Sequence, residues 1–142
     1  MTHSLSTRRL LPGACVALAL LTVGCGGPKI KLVPAEGTLT IAGRPAANVS
    51  IQFMPDVTRG GNGPTSYATT DAQGKFRLVT YDGQDGAVEG PHTVILADLE
   101  EERPPQGQPV KKLPRLDSRY TTAAGGLTAE VKAGTPIVLA VP

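Results

Sequence analysis

Apolar residues in this chain never recur at the 3.6-residue period of a helix over a useful length. They alternate at period two in short runs, and glycine and proline stand between the runs. With 17 Gly and 13 Pro in 142 residues, any regular element must be brief. Strands are predicted over 36–41, 48–54, 66–70, 75–80, 92–99, 127–131 and 137–141. Leu39 and Ile41 share one face of the first; Val49, Ile51 and Phe53 point one way from the second, with Ser50 and Gln52 opposed. Phe76 and Leu78 face inward from the fourth, and Val94, Leu96 and Asp98 alternate in the fifth. The polar strand 66–70 reads as an edge. About seven short strands separated by turn signals predict an all-β domain, a β-sandwich, over 35–142. With no Trp and two Phe, its core must be built mainly from Val, Ile, Leu and Ala.

The segment 99–119 stands apart. It begins Glu100-Glu101-Glu102-Arg103 and then carries Pro104, Pro105, Pro109 and Pro114. Proline lacks the donor that a central strand needs, so the segment reads as a long, exposed and mobile loop that the domain could lose and still fold. With 55–64 and 81–86, it supplies the loops expected to carry recognition at one end of the sandwich.

The N-terminus has a different grammar. Arg8 and Arg9 precede an apolar run from Leu10 to Val23, and Leu20-Leu21-Thr22-Val23-Gly24-Cys25 ends it. A basic region, an apolar stretch too short to be a retained span and a small residue at the cut are the parts of a secretory signal over 1–24. The last six residues resemble a bacterial lipobox, with Thr22 where such boxes usually carry Leu. The resemblance implies that the Cys25 thiol takes a diacylglycerol, and that Cys25 becomes the mature N-terminus, whose freed amine is acylated with a chain such as palmitate. The alternative is an ordinary secretory signal beside a stray cysteine. On the lipobox reading, 25–34 is a tether, the bilayer is a partner through Cys25, and several acyl chains hold the protein where one would not. The expected location is the bacterial cell envelope. Gly26 is not an aspartate-type retention signal, which points to the outer membrane.

Charge and cysteine content narrow the function classes. Fourteen Lys+Arg face twelve Asp+Glu, and Arg8 and Arg9 leave with the signal, so the mature protein is balanced. No basic stripe with interleaved aromatics remains to suggest nucleic acid. Of the two cysteines one is removed and the other acylated, which leaves no intrachain disulfide.

Several local features coincide from Glu36 onward. Glu36-Gly37-Thr38-Leu39-Thr40, then Gly43-Arg44-Pro45, then Val49-Ser50-Ile51-Gln52-Phe53 is similar to the opening of a carboxypeptidase regulatory-like domain. Thr70-Asp71-Ala72-Gln73-Gly74-Lys75-Phe76 fits that family's polar strand and turn, and Gly90-Pro91-His92-Thr93-Val94 its G-x-Y-x-V strand, with His92 in the Tyr place. The resemblance covers roughly 34–98, the C-terminal part loosely, with Tyr120 before the last pair of strands. It implies an Ig/transthyretin-like, seven-stranded sandwich serving as an accessory or interaction module, not an enzyme. The residues act as fold specification: Gly43 and Gly74 permit positive φ, Pro45 fixes a turn exit, Asp71 caps a turn through amides two residues on, and Phe76 buries a ring.

Catalytic and metal chemistry finds little footing. One histidine, His92, survives processing, too few for a Ser/His/Asp arrangement, for the His and Arg set of a hydroxyisourate hydrolase, or for a zinc or copper site. His92 is expected to be a strand residue with an ordinary partner. Asp82 and Asp85 flank glycines, but an EF-type loop would put Gly83 and Tyr81 at ligand positions, so a polar turn is the better reading, with a non-EF site shared with Asp71 left open. Neither a cofactor nor a catalytic residue is expected. A non-catalytic binding or scaffolding module with an envelope protein or glycan partner fits best; the alternative is a carbohydrate-binding accessory protein, with Tyr67, Tyr81 and Tyr120 as its stacking candidates.

Overall fold

The computed structural model describes residues 30–100 and 114–142, and within them the chain is all-β. Four strands come first: β1 (Leu32–Val33), β2 (Glu36–Ile41), β3 (Arg44–Pro45) and β4 (Val49–Pro55). Then come β5 (Ser66–Thr69), β6 (Lys75–Arg77), β7 (Val79–Thr80), β8 (Ala87–Val88) and β9 (Gly90–Asp98). The last two are β10 (Thr128–Val131) and β11 (Ile137–Val141). A five-stranded sheet runs in the order β10-β9-β4-β5-β7. A four-stranded sheet centres on β2, with β11 on one side and β3 and β6 on the other, and β1 pairs with β8. Every pairing is antiparallel except β2 with β11, where Gly37 to Ile41 lie in parallel register with Ile137 to Val141.

Local chemistry explains most of these elements. Ala42 (φ 48°) and Gly43 (φ 74°) form the two-residue hairpin between β2 and β3, whose twist suits two positive φ values. In the turn that carries the chain from β5 to β6 Asp71 Oδ1 accepts from the amides of Gln73 and Lys75, both at 2.9 Å, and Gly74 takes φ 72°. Pro45 lies exposed in β3 opposite Thr40, where a missing donor does no harm. The alternation read in the sequence holds: Val49, Ile51 and Phe53 are fully buried, as are Val94 and Leu96. In β11 Ile137, Leu139 and Val141 are buried while Val138 is 74 % exposed, so a continuous apolar run behaves as a one-faced strand.

One core serves both sheets. Leu39, Phe76 and Leu139 come from the four-stranded sheet, and Ile51, Phe53, Val94 and Leu96 from the five-stranded one. The rings of Phe53 and Phe76 meet between the sheets with centroids 6.2 Å apart.

Four expectations need correction. The strand 66–70 is no edge: β5 lies between β4 and β7, and Ser66 is buried with its hydroxyl donating to the Gly86 carbonyl at 3.0 Å. The strand 75–80 is broken at Leu78, whose amide donates to Ala35 and whose carbonyl accepts from Gly86. That residue carries the chain from one sheet, where β6 pairs with β2, to the other, where β7 pairs with β5. The tether 25–34 ends earlier than expected, since Leu32 and Val33 pair with Val88 and Ala87 and Val33 is buried. Finally, 99–119 is not all exposed loop: Leu116 is buried in the core, and Ser118–Thr121 is a short 3-10 turn. Positions 101–113 lie outside the described residues.

Register gives the fold two distinct ends. Pro55 lies opposite His92, Ser66 opposite Thr80, Val131 opposite Gly90 and Ile137 opposite Gly37. The loops 56–65, 81–86 and 132–136 therefore share one end with the incoming chain at Ile30. At the other end Val49 lies opposite Asp98 and Ser50 opposite Thr69, which places the turns 42–48 and 70–74 there together with Leu99. The first is the entry end and the second the far end.

Candidate functional site

The far end is organised around an acidic residue that the sheet forces inward. Asp98 follows His92, Val94 and Leu96 on the core-facing phase of β9, and its side chain is 3 % exposed. An ionised carboxylate in that position requires a partner. Arg115 supplies it: Nε donates to Asp98 Oδ2 at 2.7 Å and Nη2 to Asp98 Oδ1. Nη2 also donates to the Ala47 carbonyl at 3.1 Å, and Nη1 lies 3.3 Å from Glu100 Oε2. The two-pronged grip matches the planar guanidinium to the carboxylate plane. Hydrogen bonding to Asp98 and the two carboxylate charges raise the Arg115 pKa above its ordinary value, so the cation is permanent.

Two further residues complete the cluster. Asn48, at φ 55°, adopts the left-handed conformation that asparagine tolerates better than most residues, and its Nδ2 donates to Glu100 Oε1 at 2.8 Å. Its backbone ties three segments together, since Asn48 N donates to Thr70 O and Asn48 O accepts from Leu99 N. The Glu100 amide in turn caps Asp98 Oδ1 at 3.0 Å.

Beside this cluster lies an open cleft of about 920 Å³ between the end of β9, residues 114–121 and Pro142. Leu116 roots its wall in the core, while Ser118, Thr121 and Asp117 give the rim hydroxyls and a carboxylate. The Thr121 hydroxyl donates to the Ser118 carbonyl at 2.7 Å, and Asp117 Oδ1 accepts from the Arg119 amide at 3.0 Å. No described histidine is near Ser118 and Thr121: His92, the only one among the described residues, is buried opposite Pro55 at the entry end. What the cleft offers is a mixed polar and apolar surface.

The residues singled out in the sequence fall in several places. Cys25 lies outside the described residues. Gly43, Pro45, Asp71 and Gly74 occupy the far-end turns, and Phe76 is in the core at 5 % exposure. The three loops expected to cooperate do not: 55–64 and 81–86 lie at the entry end and 99–119 leaves from the far end, because β9 runs the full length of the sheet between them.

The acidic turn at the entry end is internally satisfied. Asp82 accepts from the Thr80 hydroxyl and from Gln84 Nε2, each at 2.5 Å, and these bonds lower its pKa. Asp85 pairs with Arg77 at 3.0 Å. Asp71 is at the opposite end, so the topology does not bring it to a shared cation site with Asp82 and Asp85. Among the described residues no group of three His, Cys, Asp or Glu is placed to hold a metal ion.

The candidate stacking rings differ in setting. Tyr81 is 92 % exposed, Tyr67 is borderline, and Tyr120 packs against the core with the Arg119 guanidinium 4.7 Å from its ring centre. His92 departs from the ordinary partner expected of it. Its Nδ1–H donates to the Gly90 carbonyl at 3.0 Å, while Nε2 is buried without a hydrogen bond and burial lowers the pKa. The Arg115 cluster itself was missed in the sequence. The available signal was Asp98, an acidic residue on the inward phase of a strand.

Compared with known proteins, the chain matches no family model, and neither a curated protein nor a solved structure is significantly similar to it.

Proposed function

We propose that this chain is a lipid-anchored, non-catalytic envelope protein: a carboxypeptidase regulatory-like β-sandwich, held at the bilayer by acylated Cys25, that binds a partner at its far-end cleft. The lipobox-like run ending at Cys25 and the turn motifs around Gly43 and Gly74 support the class. The observation that carries the binding role is the placement of the cleft. It lies at the end opposite the incoming chain, and it is built on a buried ion pair and a core leucine rather than on loops alone. A surface anchored in this way to the core suits recognition.

The test is photo-crosslinking in intact envelopes from a benzoylphenylalanine placed at Thr121, with the same probe at exposed Val138 as reference. The reading predicts a discrete adduct from position 121 that position 138 does not give. Equal adducts at both positions, or none at either, would contradict it. Retention on purified envelope glycan without a protein adduct would favour the carbohydrate-binding alternative.

A further inference from the structure

Six large apolar side chains are exposed among the described residues, and their placement is uneven. Ile30 (50 %), Val57 (76 %) and Tyr81 (92 %) all belong to entry-end segments. Tyr67 and Val138 lie within strands, and Leu99 alone is at the far end. The entry-end segments are also close to one another. A Cβ added at Gly63 would lie 2.6 Å from Val88 and 3.3 Å from Ile30, so the loop after Val57 is seated on the incoming chain. Ser66 and the 81–86 loop are joined through the Gly86 carbonyl.

Charge does not explain these tips. Arg59 is neutralised by Asp56 at 2.7 Å and Arg77 by Asp85, while Lys31, Asp82 and Glu89 add both signs. Among these polar groups, with Lys132 paired to Glu130, Ile30, Val57 and Tyr81 project as apolar and aromatic side chains of the kind that settle at a membrane interface.

Chain length identifies what these tips meet. Gly26, Gly27, Pro28 and Lys29 separate Cys25 from Ile30, and those five steps span at most about 18 Å. The nine residues of β9 that separate the two ends extend about 30 Å. A leash shorter than the domain keeps the entry end nearest the bilayer that holds Cys25.

Resting on the lipid-anchored reading, we infer that the entry end docks on that bilayer, with Ile30, Val57 and Tyr81 entering its interface. The anchor then fixes orientation as well as location, and the far-end cleft stands away from the lipid.

The chain contains no tryptophan, so a single one reports its own surroundings. Tyr81→Trp and, as far-end reference, Leu99→Trp are made in the full chain; both sites are exposed, so neither change disturbs the core. The acylated proteins are reconstituted in phosphatidylethanolamine and phosphatidylglycerol vesicles containing dibrominated phosphatidylcholine, and flotation and intact mass report the anchor independently. The expected result is a blue-shifted Tyr81→Trp emission that loses most of its intensity to bromolipid, with the Leu99→Trp emission unchanged. Acylated, floating protein whose two indoles are quenched alike, or not at all, overturns the docking and leaves the anchor standing. Protein without acyl chains that fails to float overturns the anchored reading and the docking with it.

Discussion

Arg115 and Asp98, seventeen residues apart, are joined through Nε and Oδ2 at 2.7 Å, and the carboxylate of that pair is almost fully buried. The bond pins the end of the 99–119 segment to the last residue of β9 and sets the wall of the cleft. Removing the arginine takes away the cation that grips an almost fully buried carboxylate. Arg115→Ala is expected to destabilise the fold by about 3 kcal/mol or more, measured by urea denaturation. Glu100→Ala, whose carboxylate is 42 % exposed, should cost no more than about 1 kcal/mol. Equal losses from the two variants would refute the assigned hierarchy.

Leu116 reverses a prediction made from the sequence. A segment rich in proline and charge reads as dispensable, yet Leu116 is 5 % exposed within the core cluster. Leu116→Ala should therefore cost about 2–5 kcal/mol, and a deletion of 102–116 should lower the melting temperature markedly because it removes both Leu116 and Arg115. A deletion variant melting with the parent would restore the loop reading.

His92 gives the fold an acid sensitivity with a defined window. Its pKa is lowered by burial, so the unfolded chain, titrating near 6.5, takes the proton first. Above that value both states are neutral and His92 contributes no pH dependence. As pH falls below it, stability drops by up to about 1.4 kcal/mol per unit until the folded-state pKa is passed. Asp56 and Asp82 act in a separate range. Their folded-state pKa values lie below 3.8, so the stability they supply persists above that value and is lost as pH falls beneath it. The first cause is a hydroxyl bond in each case, from Thr58 and Thr80. Urea midpoints at about pH 7.5 and about pH 5.5 should differ in the parent and converge in His92→Leu.

Gly37 is required for space. A Cβ there would lie 2.3 Å from the Ile137 carbonyl oxygen and 2.6 Å from Phe76 Cζ. Backbone cannot yield as a side-chain tip can, so Gly37→Ala should separate β2 from β11. Lost amide protection along Ile137–Val141 in hydrogen exchange is the expected signature; unchanged protection would mean the parallel pairing is misassigned.

The sequence made short-range features legible because they depend on near neighbours. The bounds of β2 and β11, the burial of Val49, Ile51 and Phe53, and the turns at Gly43 and Asp71 all follow from alternation and turn chemistry within a few residues. The parallel pairing of β2 with β11 was not legible, since the partners lie about a hundred residues apart in sequence and apolar alternation carries no record of direction. The break at Leu78 was hidden because its side chain keeps the inward phase while its backbone changes sheets. The candidate cleft was hidden for a related reason. Arg115 and Leu116 sit among prolines and charges, and only the topology, by burying Asp98, gives them their partners.

The proposed lipid on Cys25, which would hold this domain at a membrane, is tested most directly by the mass of the mature N-terminal peptide. The account predicts a chain beginning at Cys25 with diacylglyceryl and fatty acyl additions, and a Cys25→Ser form that is neither cleaved there nor retained by membranes. An unmodified Cys25, or an N-terminus elsewhere on a protein free of lipid, would contradict it.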